Sequence, residues 1–436
     1  MVPNSAAPHN APEIPTSQED WDARGLKMAK VQATLGEHFP DLWRAVEAGL
    51  AACATLCLED NVNPTALIYV GAASAGKTTA AYMFEGHPMT YRTDDVTGAS
   101  LVSHASQRSK EQLKKIDLLP TITDKVMLTP EMASFFRGKQ EELEGKYRKW
   151  QVALDGQGIQ TNSGTHGSRG YKGLHLFVWL GCTTPLSPYV WRVMSTLGSR
   201  LFFFDLSKGR SRTENDVIQS RKDSAYSQKR DMCRVVVHEY LTEIFQNGVR
   251  SVPWDPSADD DLTMRGIYRL AQLLSIGRAN ADDPSSIEEP ERAFTVLTNL
   301  ARGRAIIYGR RAITQEDLPF VAEVVLSSMQ ARRGRLIRAL ARAGGEMTAP
   351  EVQAKLGVGS RHTALEDMQD LGKIGLAEYI PAPPIQTKDG RRTRTNMLEP
   401  TIQNHYSRHG KVSTLPPICQ PVPSQHRSIP GPFDPI

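Results

Sequence analysis

The sequence predicts an α/β fold: a mostly parallel sheet packed by helices, then a helical region, then a small C-terminal helical module. Three observations carry this. Between residues 65 and 206, short apolar, β-rich runs alternate with helix-compatible ones, as in a parallel sheet with helical crossovers. The run ALIYV (66–70) leads straight into the glycine-bearing GAASAGKT (71–78), and the helix-friendly TAAYMFEG follows. From about 220 to 330 the pattern is helical throughout. At 436 residues the chain exceeds what one core usually organises, so two or three domains are expected.

Taken in order, residues 1–20 are rich in Pro, Ala and Ser and are predicted to be disordered. An α/β core spans 21–215, opening with a helical stretch over 20–58. Its strands are expected at ALIYV (66–70), MTYR (89–92), KVMLT (125–129), LHLFVWLG (174–181) and RLFFFDL (200–206). A helical unit covers 216–329 and a further small unit 330–400. The tail, 401–436, carries STLPPICQPVPSQ and SIPGPFDPI, and its proline density argues against a packed core.

Composition narrows the function classes. Apolar content of 40% and charged content of 23% are ordinary for a globular chain. The net charge of +4 is too mild to establish nucleic-acid binding, so its distribution matters more. Cys53, Cys57, Cys182, Cys233 and Cys419 are scattered and odd in number, which favours reduced thiols and buried packing roles. No apolar run reaches about 18 residues, so no membrane span is predicted. The first twenty residues lack a basic start and an apolar core, so no secretory signal is read and the expected location is the cytoplasm.

GAASAGKT matches GxxxxGK[ST] at every fixed position, between a strand and a helix as its chemistry requires. Gly71 and Gly76 let the loop curl until its amides, through Ala72, Ala73, Ser74 and Ala75, point at phosphate oxygens. The helix starting near Lys77 adds its positive end. Lys77 supplies charge to the outer phosphates, Thr78 a hydroxyl to Mg²⁺, and Thr79 stands as a second hydroxyl or a helix-surface residue. ATP with Mg²⁺ is the expected ligand.

An NTPase also needs an acid at a strand end to polarise water. Glu131, in KVMLTPEM, ends an apolar run, but the position before it, where an acidic partner is usual, is Pro130. Asp94, Asp95 and Asp155 are reserve carboxylates, each equally readable as a turn or cap residue. Thr183 and Thr184 close the strand LHLFVWLGCTT and would face the terminal phosphate, or simply satisfy the strand end. Arg200 immediately precedes LFFFDL, where a guanidinium suits projection towards a neighbour's nucleotide; an ion pair at the sheet edge is the alternative.

The order of GAASAGKT, the strand with Glu131, the strand with Thr183 and Thr184, and LGSRLFFFDL resembles the AAA+ ATPases. The SR-plus-apolar-strand element resembles the arginine-finger segment of the minichromosome-maintenance helicases. DLTMRGIYRLAQLLSIGRAN resembles the lid helix with a second sensor arginine, at Arg265, and RGRAIIYGRRAITQEDLPF resembles the lid's end, with Thr314 and Asp317 as caps. The resemblance spans about 60–330 and implies a homo-oligomer, a hexameric ring with ATP between subunits. It also implies that LDGQGIQTNSGTHGSRGYKG (154–173) holds a pore hairpin, with His166, Arg169, Tyr171 and Lys172 suited to DNA. A flexible surface loop or part of an ATP-site rim explains that stretch equally well.

The 330–400 unit reads as three helices: RRGRLIRALARA, TAPEVQAKLG with Thr348 as cap and Pro350 in its first turn, and RHTALEDMQDLGKIG. LAEYIPAPPIQTKDGRRTRTNMLEP then reads as a β-ribbon with a basic tip. This resembles a winged helix–turn–helix. Ser360, Arg361, His362 and Thr363 would meet the major groove, and Lys388, Arg391, Arg392 and Arg394 the backbone phosphates. Residues 330–400 hold twelve Lys/Arg against eight Asp/Glu, an excess equal to the net charge of the whole chain. A protein-docking winged helix is the alternative.

The expected function is therefore a ring-forming, ATP-hydrolysing motor or loader acting on single- or double-stranded DNA, without membrane association. The alternatives are a nucleotide-gated DNA-binding switch and a MoxR-like protein remodeller.

Overall fold

The computed structural model describes residues 18–103, 109–163, 167–195, 198, 200–208, 214–215, 218, 222–380, 385–386, 392–393 and 397–399. His166, Lys388, Arg391 and Arg394 lie outside them, as do the tail 401–436 and most of 1–20. The chain divides into two compact units, Met1–Gly334 and Arg335–Ile436.

The first unit is built on five parallel strands: β1 (Thr65–Val70), β2 (Thr90–Arg92), β3 (Val126–Thr129), β6 (Val178–Thr183) and β7 (Leu201–Asp205). Their order across the sheet is β2-β3-β6-β1-β7, all neighbours parallel. Apart from β2 at the edge, almost every strand residue is buried, because helices cover both faces. One face carries Trp179, Phe203 and Ile68 against Phe135, Trp150 and Trp191, with the Trp150 and Trp179 rings only 4.4 Å apart. The other face meets the helix Trp43–Ala54, where Tyr69 donates from its hydroxyl to the Ala45 carbonyl at 2.8 Å.

The strand expected over 174–181 begins only at Val178. Its first residues are drawn off the ladder: the His175 amide donates to Gly156 and the Leu176 carbonyl accepts from Asp124. Between β3 and β6 stands an antiparallel hairpin, β4 (Gly158–Ser163) and β5 (Gly167–Lys172).

The helices that follow the sheet pack in the same unit as it does. Helix Tyr226–Ile244 lies along the N-terminal helix Gln18–His38, with Lys30 and Glu239 3.1 Å apart. Helix Glu291–Ile307 packs on Trp43–Ala54. There Arg304 joins buried Glu47 (2.9 Å) and buried Asp317 (2.8 Å). Thr314 and Asp317 form a reciprocal cap on the turn Gln315–Asp317 that leads into helix Leu318–Ser327. Among the described residues no helix is long and apolar enough to cross a membrane.

Helix Ala331–Arg342 straddles the division between units. The second unit continues with β8 (Met347–Thr348), helix Ala349–Leu356, helix Arg361–Lys373, β9 (Glu378–Ile380), the short pair β10 (Ile385–Gln386) and β11 (Arg392–Thr393), and β12 (Met397–Glu399). β12 pairs antiparallel with both β8 and β9, so the strand before helix Ala349–Leu356 closes a small sheet with β9 and β12. Thr348 and Glu351 cap each other around Pro350.

Candidate nucleotide site

The C-terminal ends of β1, β6 and β7 align, with Val70 paired to Thr183 on one side and to Asp205 on the other. Residues 71–76 form the loop that leaves this end. Its curl depends on two positive-φ residues, Ser74 (64°) and Gly76 (86°). At Gly76 a side chain is also excluded by Leu42, whose Cδ2 would stand 2.6 Å from a Cβ there. Helix Lys77–Tyr82 begins immediately after, so the loop amides and the positive helix end face the same space.

Lys77 arches back over the loop, its Nζ donating to the carbonyls of Gly71 and Ala72, each at 2.7 Å. Partial burial lowers the Lys77 ammonium's pKa, opposed by Cys182 and Glu131. Thr78 is exposed on the first turn, and Thr79 is half-buried with its hydroxyl 3.5 Å from that of Tyr226. Burial pushes the Cys182 thiol up to about 12, so it is a packed thiol and not a nucleophile.

Glu131 reaches this site although β3 stands two strands from β1. β3 stops at Thr129, level with Gly181, and the chain then crosses the end of β6, where the Met132 amide donates to the Cys182 carbonyl at 2.8 Å. Gly181 permits the crossing: a Cβ there would lie 2.0 Å from the Met132 sulfur. Glu131 is exposed, and its carboxylate accepts from the Ala133 amide at 2.9 Å. Thr183 is buried, and its hydroxyl has no hydrogen-bond partner among the described residues. Thr184 is exposed beyond it.

Asp205 belongs to the same sheet end and was missed in the sequence. It is half-buried at the tip of β7, paired across the sheet with Val70, and accepts from the Ser207 amide at 2.8 Å. The signal was present, since RLFFFDL ends an apolar strand on a carboxylate as KVMLTPE does.

The reserve carboxylates fall elsewhere. Asp94 pairs with Arg92 at 3.0 Å beyond β2, and Asp95 follows it. β2 is three strands from β1, about 14 Å across the sheet. Asp155 lies at the opposite end of the sheet from the loop, bound to Arg200 Nε at 2.9 Å and to Arg292 at 2.6 Å. Its expected part as a reserve for the water-polarising carboxylate is corrected on that ground. Arg200 precedes β7, one strand length, about 16 Å, from the loop of its own chain. Arg265 is exposed on helix Asp261–Arg278, about 20 Å along the axis from Arg278, whose guanidinium donates to the Leu201 carbonyl at the start of β7.

Two hairpin residues expected to face DNA are turned inwards. Arg169 pairs with Asp117, and Tyr171 donates to the same carboxylate at 2.5 Å. Asp117 is fully buried and also accepts the amide (2.9 Å) and hydroxyl (2.5 Å) of Ser103. Burial and that carboxylate push the Tyr171 hydroxyl up to about 12. Both residues fasten the hairpin to the body, which removes Arg169 as a phosphate contact; Lys172 remains exposed.

In the second unit, Ser360 caps helix Arg361–Lys373 through the Thr363 amide. His362 is exposed, with Nδ1 3.4 Å from Glu366, and Arg361 is half-buried beside it. Arg392 sits in β11 opposite Gln386.

The donor set at the loop fits a nucleotide triphosphate: backbone amides, a helix end, one ammonium and one exposed hydroxyl. Among the described residues no cluster of three or more His, Cys, Asp or Glu side chains could hold a metal alone. A Mg²⁺ ion would therefore be held by Thr78 together with phosphate oxygens, neutralising their charge. No known protein family matches this chain, and no curated protein matches it in sequence.

Proposed function

We propose that this protein is an AAA+ ATPase, similar to the minichromosome-maintenance helicases, that couples ATP hydrolysis in a homo-oligomeric ring to movement on DNA. One observation carries this most: the loop 71–78, Glu131 and Thr183 meet at one end of the sheet while Arg200 stands at the other. Within one chain Arg200 is out of reach of the phosphates, so a catalytic part for it would lie at a neighbouring copy's nucleotide; its ion pair with Asp155 also fits the sheet-edge alternative. In that arrangement Lys77 and the loop amides hold the triphosphate, Glu131 polarises the attacking water, and the Thr183 hydroxyl orients it. Arg200 of the adjacent copy balances charge as the terminal phosphoryl group leaves.

The second unit, read as a winged helix–turn–helix, supports the DNA partner. Its three helices, its β8-β12-β9 sheet and its basic excess fit that class. Fold alone does not choose between DNA and protein partners.

The assay is ATP turnover with no DNA, with single strands and with duplex. The proposal expects DNA-stimulated turnover, abolished by Lys77→Ala and by Arg200→Ala. Specific duplex binding without stimulated turnover favours a nucleotide-gated switch, a second reading that Pro130 supports because it removes an acid next to Glu131. Turnover indifferent to DNA, with no DNA bound, favours a MoxR-like remodeller.

A further inference from the structure

The cluster around Arg200 is built against local electrostatics. Asp155 caps the C-terminal end of helix Gln140–Leu154, where a negative charge meets the helix's own negative end. Arg292 sits in the first turn of helix Glu291–Ile307, where a positive charge meets the positive end. Each placement is unfavourable alone, and their ion pair of 2.6 Å offsets both. Asp155 also takes Arg200 in a two-point grip, Nε to Oδ1 at 2.9 Å and the second nitrogen to Oδ2 at 3.4 Å. The cavity behind Arg200 is mostly apolar, with Phe135, Trp150, Leu154 and Leu201, and Gln151 as a polar member. A guanidinium there needs a counter-charge to hold one orientation. Glu288 is the other carboxylate nearby, and it lies 3.9 Å from buried Arg278.

We propose that Asp155 is the positioning residue for Arg200, holding it and Arg292 as one two-arginine unit offered to the nucleotide phosphates of a neighbouring copy. The pair shares the Asp155 carboxylate. Arg292 is the more open of the two, its side chain 36% exposed against 20% for Arg200. Arg292 is therefore the first to meet an incoming anion, and Arg200 the more firmly aimed. The inference rests on the trans role of Arg200 argued above.

Mixed oligomers test it. A Lys77→Ala chain can lend its arginine but cannot hold ATP, and an Arg200→Ala chain can hold ATP but lends nothing. Mixing the two is expected to restore turnover. Adding Asp155→Asn to the Lys77→Ala chain should cut the restored turnover at least about tenfold, since an arginine finger acts only when aimed. Asp155→Glu in the same chain should retain most of it. Asp155→Asn added instead to the Arg200→Ala chain should recover as fully as Arg200→Ala alone, which also shows that the substituted chain folds. If the first mixture restores nothing, the trans role of Arg200 fails, and this inference with it. If Asp155→Asn is harmless in the lending chain, or equally damaging in either, the trans role stands and Asp155 is overturned as its positioning residue.

Discussion

Thr183 carries a hydroxyl at the sheet end that leads into the phosphate loop. That hydroxyl is buried and has no hydrogen-bond partner among the described residues. A buried hydroxyl with no partner costs stability, so retaining one where valine would pack equally well points to another use. Thr183→Val is expected to melt at the parent's temperature or slightly above it. ATP turnover should fall at least about tenfold, the worth of one transition-state hydrogen bond. A lower melting temperature with unchanged turnover would make the hydroxyl structural. The loop residues around it were legible from spacing alone, because GxxxxGK[ST] after an apolar run constrains a short local geometry. Gly181 was not, since its part depends on which strands become neighbours.

At the scale of elements, the hairpin β4–β5 shows what sequence withholds. Its glycines and polar residues announce a turn, but nothing local reveals that Arg169 and Tyr171 share a carboxylate more than fifty positions earlier. Asp117→Asn leaves the Arg169 charge largely enclosed and should destabilise the protein by about 3 kcal/mol. Thermal melting measures it, and a variant that also carries Arg169→Gln should recover part of the loss. Helix Tyr226–Ile244 contributes a second such contact. His87 is buried with Nδ1 accepting from the Met89 amide at 3.2 Å and Nε2 3.2 Å from the Thr242 hydroxyl. Burial first, and His238 second, push its pKa down to about 4 from 6.5. Folding therefore favours neutral His87: its contribution is whole above pH 6.5 and is lost as pH falls towards 4. The shift corresponds to about 3 kcal/mol. Melting curves from pH 7 to 4 should show this decline, and His87→Gln should flatten it.

Across the whole molecule, the sheet was the legible part. Five β-rich runs became the five parallel strands, and all but the edge strand β2 are apolar because a strand buried on both faces must be. The distance of Arg200 from the loop of its own chain was not legible. Arg200 at the lip of RLFFFDL suggested projection, but only the strand directions put it a full strand length from Lys77. Asp155 read as a reserve carboxylate or a turn residue because its partners, Arg200 and Arg292, are remote in sequence. All of this presupposes a nucleotide in the loop 71–78, where Lys77 now bonds its own backbone carbonyls. Calorimetric titration of the full chain with ATP and Mg²⁺, beside Lys77→Ala, tests that most directly. Saturable binding by the parent, weakened at least about tenfold (~1.4 kcal/mol) by Lys77→Ala, is the expected result. No binding by the parent, or equal affinity in the two proteins, would contradict the account.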